Sequence, residues 1–461
     1  MKTLVNINRL SHNKSLQSGP AGMKDFRQYV DYLEGLVLEV SDQGLRQSDS
    51  LAINAALNGQ PAEQLRRLVP ISIRREAGAF LTGSRLARHA LRNFRQSDPE
   101  DVVFFDPACG TGDLLIQCSY RLPLGSSLKE TLRFWGKRLI GRDIFPEFVR
   151  ATKLRLLLTA IHRVSPMGKI DLPDIDGLFP RIECKSSLMD KDVFGNAKCI
   201  VVNPPFTMMA APRDCKWAAG KVNTAAVFFE TCLTHSQPGT KIIAILPDVL
   251  RSGSRYTKWR ILTQLKCNIK SVEVIGQFCR YADIDVFVLR AEVKNGLSMG
   301  CKQGWGTRDS SLTPSLSHYF DVSVGPVVDY RDPHNGQWYP FLVARDLPPW
   351  EAVHEFPKHR RFAGRTIVPP FVAIRRTSRP GDKCRAIGTV VLGDNPVAVE
   401  NHLLVLRPVD DSVRRCMQLI DILRMPRTSE WLNSRIRCRH LTVAAIRELP
   451  LVWINNGKIK I

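Results

Sequence analysis

Residues 104–113 read FFDPACGTGD. A short apolar run ends in a carboxylate, Asp106, and small residues then form a tight turn. Gly110 and Gly112 in such a turn let the main chain come close to a ligand. No third glycine follows at dinucleotide spacing, and no Lys-Ser/Thr pair follows as in a phosphate loop. The turn is therefore not tuned for pyrophosphate. On its own it also fits a plain strand-to-helix connection. Two further clusters add to it. Asp143, in GRDIFP, closes a second apolar run, where an acid can accept both hydroxyls of a ribose. Asn203-Pro204-Pro205-Phe206 closes a third, KCIVVNPPF.

These clusters need elements to hold them. VVFFD, RLIGRDI, KCIVV and KIIAILP read as buried parallel strands, and IKSVEVIGQF and DIDVFVLRAEV complete the set. Helices are expected between them at Asp113–Tyr120, Pro146–Arg163 and Ala225–Ser236. Strands alternating with helices predict a doubly wound, Rossmann-like α/β sheet over Arg75–Val293. All three clusters then share the carboxyl edge of one sheet, where open α/β folds bind ligands. Upstream, apolar spacing of three and four predicts helices over Met23–Val40, Ala52–Leu68 and from Ser84. Downstream of Val293, a loop-like stretch precedes short β-rich pieces and two helices, about 411–424 and 429–437, an α+β domain. The expected divisions are an N-terminal helical region over 1–70, the α/β sheet domain over 71–293 and the α+β domain over 294–461.

Composition bounds the partner. The 461 residues carry 66 Lys+Arg against 44 Asp+Glu, a formal charge of +22, which favours a polyanion. Residues 357–385 alone hold nine Lys/Arg against Asp382. Arg360, Arg361, Arg365, Arg375, Arg376 and Arg379 in that stretch are candidate DNA contacts, and a solvated basic face is the alternative. No run of about 18 apolar residues exists to span a bilayer. The twelve cysteines form no CxxC pair and no His cluster has ligand spacing, so reduced buried thiols and no metal are expected.

DPACGTG, an acid after the next strand and NPPF, in that order, resemble the methyl-donor and target motifs of adenine-N6 DNA methyltransferases. The upstream GAFLTG (Gly78 to Gly83) resembles the segment those enzymes place before the glycine turn. The order is that of the gamma class, which includes type I modification subunits and TaqI-like single-chain enzymes. The resemblance covers about residues 70–293. It implies S-adenosylmethionine as cofactor, held by Thr82, Asp106, Ala108, Gly110, Gly112, Asp143, Ile144 and Ser186. It implies Asn203, Pro204, Pro205 and Phe206 as the catalytic set. Asn203's side-chain carbonyl and Pro204's main-chain carbonyl would accept the two N–H bonds of an exocyclic amine, and the Pro-Pro pair stiffens the backbone that fixes them.

The resemblance further implies double-stranded DNA as substrate, a cytoplasmic prokaryotic setting, and a restriction-modification or phage-defence role with a nuclease or other defence subunit as partner. The target base must leave the stack. Phe206 offers one stacking face. Phe278 matches the family's second aromatic, with a plain core residue as its alternative. Thr207–Thr224 reads as a long lid-like loop from which Lys216, Trp217 and Lys221 contact the strand. NPPF also occurs in ribosomal-RNA methyltransferases, so RNA is a rival substrate. Two residues depart from the family: Gly83 stands where Thr-Pro is usual, and Ser186 or Ser187 stands where an Asp is usual. The second departure raises another rival, a catalytically weak DNA-binding subunit. Pro173-Asp174 with Glu183-Cys184-Lys185 spells a PD…ExK nuclease signature, but it falls between two strands of the sheet, where no separate nuclease core fits.

Overall fold

In the computed structural model, the residues described are 21–47, 49–94, 101–165, 168, 170, 174–279, 281–296, 305 and 314–451. The chain divides into two compact units. The first comprises Met1–Pro247, Lys258–Glu273 and Val286–Gln303. The second comprises Asp248–Thr257, Val274–Asp285 and Gly304–Ile461.

The first unit starts with helices α1 (Arg27–Gln43), α2 (Asp49–Leu57), α3 (Gln60–Leu68), α4 (Ile71–Ala77) and α5 (Ser84–Leu91). The expected single helix over Ala52–Leu68 is two helices, because Asn58-Gly59 interrupts the pattern and Pro61 restarts it near the N-terminus of α3. The core elements follow: β1 (Phe104–Asp106), α6 (Asp113–Ser119), α7 (Leu128–Arg138), β2 (Leu139–Asp143), α8 (Pro146–Val164), β3 (Ile182–Cys184) and β4 (Cys199–Val202). Next come β5 (Met208–Ala210), β6 (Lys221–Asn223), α9 (Thr224–His235), β7 (Lys241–Pro247), α10 (Thr257–Lys266), β8 (Cys267–Cys279) and β9 (Ala282–Val293).

Seven strands form one sheet in the order β3-β2-β1-β4-β7-β9-β8. β1 pairs in parallel with β2 and β4, β4 with β7, and β9 runs antiparallel to β7. The order reverses between β1 and β4, so the doubly wound expectation holds and the switch point lies at the mouth of the glycine turn. Strand residues Phe104, Phe105, Ile200, Val201, Ala244 and Ile245 are fully buried, as parallel strands covered on both faces must be. Helix α8 is buried nearly all round, because α1 and α2 cover the side that a sheet helix usually turns to water.

Sequence reading missed α7 and β3. The helix carries Leu128, Leu132 and Trp135 inward, and Ser127 caps it by accepting from Glu130 N at 3.2 Å. In the edge strand β3 only Ile182 is buried, which leaves almost no apolar signal. Asn203 therefore follows the fourth strand in the chain rather than the third.

The second unit holds a five-stranded sheet, ordered β10 (Phe320–Val324), β17 (Leu403–Pro408), β14 (Phe371–Arg375), β15 (Gly388–Val391) and β12 (Ala352–Val353). Helices α11 (Val413–Arg424) and α12 (Pro426–Arg435) close its core through Leu419, Leu423 and Leu432. A smaller sheet runs β13 (His359–Phe362), β11 (Gln337–Leu342), β16 (Ala398–Val399). Among the described residues no helix is long and apolar enough to cross a membrane.

Candidate active site

The glycine turn is shaped by what surrounds it. Gly110 and Gly112 sit at φ +52° and +86°. A Cβ on Gly112 would lie 2.9 Å from Thr152 Cγ2. Thr152 Oγ1 in turn donates to Gly110 O at 2.8 Å, so α8 fixes the turn from below. Asp106 at the end of β1 is buried and accepts Ala108 N at 3.1 Å. Burial holds its carboxyl well above the usual carboxylate range, and the nearby charges of Asp143 and Asp113 push the same way.

Asp143, half-buried at the end of β2, accepts Gly110 N on Oδ2 at 2.9 Å and Phe145 N on Oδ1 at 3.1 Å. Its carboxyl is pushed up to about 6 by burial, against the pull of these N–H donors. Each oxygen keeps a lone pair, so the group can still accept hydroxyls. Ile144 and Ala108 are both half-buried beside it.

At the end of β4, Asn203 Nδ2 donates to Thr82 Oγ1 at 2.9 Å and reaches Phe80 O at 3.5 Å. Phe80 O can only accept, which fixes which side of the amide carries the NH₂. Oδ1 is left buried with no hydrogen-bond partner. Buried carbonyls are rarely left so, and an orphan at a sheet edge marks a place for an incoming donor. The Thr82 hydroxyl accepts from Asn203 and keeps its own proton to donate. Pro204 is buried, Pro205 and Phe206 half-buried. Gly78, at φ +64°, lies so close that a Cβ there would come 2.6 Å from Pro205 Cβ. GAFLTG and NPPF are thus packed onto each other.

A network the sequence did not reveal ties these parts together. Arg155, inside the apolar run LRLLLTA of α8, has no exposed side chain surface. It donates to Ala56 O at 2.8 Å, Leu57 O at 3.3 Å, the Thr111 carbonyl, and Asp113 Oδ1 at 2.9 Å. Asp113 Oδ2 accepts Gly83 N at 2.7 Å. The available signal was the arginine itself, since a cation in such a run must find partners.

Ser186 is half-buried and its carbonyl turns the chain by accepting Met189 N and Asp190 N at 3.2 and 3.1 Å. Ser187 is buried, with a hydroxyl that has no partner. The nuclease signature dissolves. Glu183 is paired with Arg142 at 3.0 Å and Lys185 at 2.6 Å, Asp174 caps a short helix through Gly177 N, and Pro173 lies outside the described residues. Among the described residues no three His, Cys, Asp or Glu side chains group to hold a metal.

The expected loop over Thr207–Thr224 is a hairpin of β5 and β6. Lys216 and Lys221 are exposed on it. Trp217 is buried instead of facing a strand of nucleic acid, and its Nε1 donates to Glu230 Oε2 at 2.6 Å. An indole in a loop is as well suited to anchoring as to contact, and here it anchors.

In the second unit the basic stretch splits. Arg360 is not a surface contact: it is 1% exposed, paired with Asp329 at 2.6 Å, and stacked over Phe341 and Phe362. Strand alternation turns it inward and its neighbour Arg361 outward. Arg385 is also buried, donating to three carbonyls. Arg375 and Arg376 are half-buried and reach Leu347 O and Asn401 O at 2.7 and 3.4 Å. Arg361, Arg365 and Arg379 are exposed, Arg361 over the ring of Trp338 at 5.6 Å and Arg379 beside Asp283 at 3.5 Å. Phe278, near the end of β8, belongs to this unit and is half-buried.

No family model and no curated protein matches the chain. Solved structures do. The type IIL restriction-modification enzyme MmeI, solved in complex with DNA, is similar at TM-score 0.51 and 11% identity over 84% of this chain and 70% of that one. A modification subunit of a type I restriction enzyme from Vibrio vulnificus YJ016 is similar at TM-score 0.38 and 18% identity over 55% of this chain. The type IIG restriction endonuclease BpuSI gives 0.40 and 14% over 80%. This chain spans 51% of the Vibrio subunit and 57% of BpuSI. The MmeI likeness shows the fold: a doubly wound sheet accompanied by a mixed α/β unit.

Proposed function

We propose that this chain transfers a methyl group from S-adenosylmethionine to the N6 amine of an adenine flipped out of double-stranded DNA, within a restriction-modification or phage-defence system. The observation that carries this reading is the orphaned Asn203 Oδ1. A buried carbonyl, with the amide NH₂ turned toward Phe80 O and the Thr82 hydroxyl, suits an incoming N–H donor such as an exocyclic amine.

The donor's methyl is already activated on a sulfonium, so the chain would have to position the amine rather than deprotonate it beforehand, with the thioether leaving as S-adenosylhomocysteine and the surplus proton on nitrogen passing to solvent after transfer. Asn203 Oδ1 and the Pro204 carbonyl accept the two amine N–H bonds and shift electron density to the nitrogen. Phe206 offers a face for the ring. Asp143 accepts the ribose hydroxyls, and Asp106, Ala108, Gly110, Gly112, Ile144 and Ser186 line the rest of the cradle. Thr82 donates its remaining proton toward the amino-acid end. The second unit's exposed Arg361, Arg365 and Arg379 track phosphates.

The likeness to MmeI, a restriction-modification enzyme solved with DNA, is what supports restriction-modification as the setting. Ser186 favours a second reading, a DNA-binding subunit with weak donor affinity, because a hydroxyl replaces one hydrogen bond of an acid but not its charge.

Sequencing of modified bases in DNA from cells expressing the chain tests the main reading. N6-methyladenine at a fixed site, lost in Asn203→Ala, supports it. Tritium transfer to RNA but not duplex DNA would redirect it to RNA. DNA binding without calorimetric donor binding would select the weak-subunit reading.

A further inference from the structure

We propose that Met208 is the side chain that enters the base stack when the target adenine leaves it. The inference rests on the adenine-methylation reading and assigns a residue that the reading does not use. Extruding a base costs unstacking, and proteins that part base steps do so with an apolar wedge, methionine among them. Such a wedge must be exposed, must stand close in the chain to the acceptors of the flipped base, and must rest on a backbone that does not yield.

Met208 meets each requirement. It is 53% exposed, five residues after Asn203 and two after Phe206. The backbone around it is pinned on both sides. Thr224 N donates to Thr207 O at 2.8 Å, the hydroxyls of Thr207 and Thr224 meet at 3.0 Å, and Asn223 Nδ2 donates to Phe206 O at 3.3 Å. Asn223 is itself held, because its Oδ1 caps α9 through Ala225 N at 3.0 Å. The far end of the hairpin is closed by Ala211 N on Gly220 O at 2.7 Å and anchored by the Trp217–Glu230 bond.

Alternation along β5 turns Met208 and Ala210 to one face, and Lys221 stands opposite Ala210 in the pairing. That face carries an apolar tip with an ammonium beside it, and exposed Arg213 and Lys216 follow in the hairpin tip. Cations so placed hold the phosphates that flank a parted step, while the thioether, unbranched and adaptable, fills the gap.

The test uses the full chain and a duplex bearing the site mapped by modified-base sequencing, with the target adenine paired or mismatched. On the paired duplex, Met208→Ala should lower the methylation rate about tenfold or more, because nothing then offsets the lost stacking. On the mismatched duplex, whose target is already loosened, it should act within about twofold of wild type. Met208→Leu should keep most of the paired rate. With 2-aminopurine at the target position, the fluorescence rise on binding should shrink in Met208→Ala while donor affinity stays the same. Equal losses on both duplexes, or wild-type behaviour on both, overturn the wedge. A wild-type chain that marks no DNA overturns the adenine reading, and the wedge falls with it.

Discussion

The main-chain N–H of Gly83 donates to Asp113 Oδ2 at 2.7 Å. Gly83 is also at φ +72°. Proline can do neither, since it has no N–H and its φ is locked near −65°. The glycine that looks like a departure from the family's Thr-Pro is the residue this backbone requires. Gly83→Ala should cost about 1–3 kcal/mol, because φ +72° with ψ 150° is a backbone region that essentially only glycine enters. Gly83→Pro should cost more, because it also strips a buried carboxylate of a donor. Denaturant unfolding of the two variants checks the order.

Arg155→Met should destabilise the first unit by about 3–5 kcal/mol, since it leaves Asp113 buried without its cation. Adding Asp113→Leu should recover part of that loss. A double-mutant cycle in which the two losses simply add would show that the pair is not coupled.

Asn203→Ala should lower the rate of methyl transfer about 10²- to 10³-fold, the size expected for removing a transition-state acceptor or donor. Donor affinity by calorimetry should fall far less than the rate, because, of the proposed donor-holding residues, the side chain bonds only Thr82, whose hydroxyl keeps its own proton to donate. Wild-type turnover in this variant would remove Asn203 from the reaction.

Asp143 gives two pH trends of opposite sign. Its carboxyl sits at about 6, above the ordinary range. The folded chain therefore holds more protons than the unfolded chain between about pH 4 and 6, and ligand-free stability falls as pH rises through that window. Ribose hydroxyls prefer the ionised acceptor, so donor affinity should rise through about pH 6 and flatten above it. Asp143→Asn should flatten the donor-affinity slope and remove Asp143's share of the stability slope, leaving the share of the raised Asp106. Melts and calorimetric titrations across this range read them.

Arg361 and Arg360 are neighbours with different jobs. Arg361→Ala should lower the slope of log K for DNA against log salt by about 0.9 if it meets one phosphate. Arg360→Ala should leave the slope alone and lower stability, by removing a buried cation that contacts the rings of Phe341 and Phe362 and pairs with Asp329. A changed slope in Arg360→Ala would return that residue to the surface.

What the sequence made legible is what is local in the chain. A strand ending in Asp106, a glycine turn, an acid closing the next strand and Asn-Pro-Pro-Phe closing another each announce themselves within ten residues. Their meeting at one sheet edge follows from the alternation of strands and helices. The illegible part depends on partners far along the chain. Arg155 needs Ala56 and Asp113, Trp217 needs Glu230, and Arg360 needs Asp329. A count of basic residues cannot separate Arg360 from Arg361, because only strand register decides which of them faces water. β3 was missed for a related reason, since an edge strand with one buried residue has no pattern to find.

The bonds from Arg155 to the carbonyls of Ala56 and Leu57 bear on where this protein can be divided. The N-terminal helices look like a detachable preface to a sheet domain, yet they supply two of the carbonyls that accept from a cation under the glycine turn, and they cover the outer face of α8. A fragment that begins after residue 70 would open that face to water and take two carbonyl acceptors from the guanidinium, leaving it Asp113 and Thr111. Modularity in this chain therefore stops short of the helices. They travel with the sheet in any fusion, truncation or domain exchange that is to keep its glycine turn as it is.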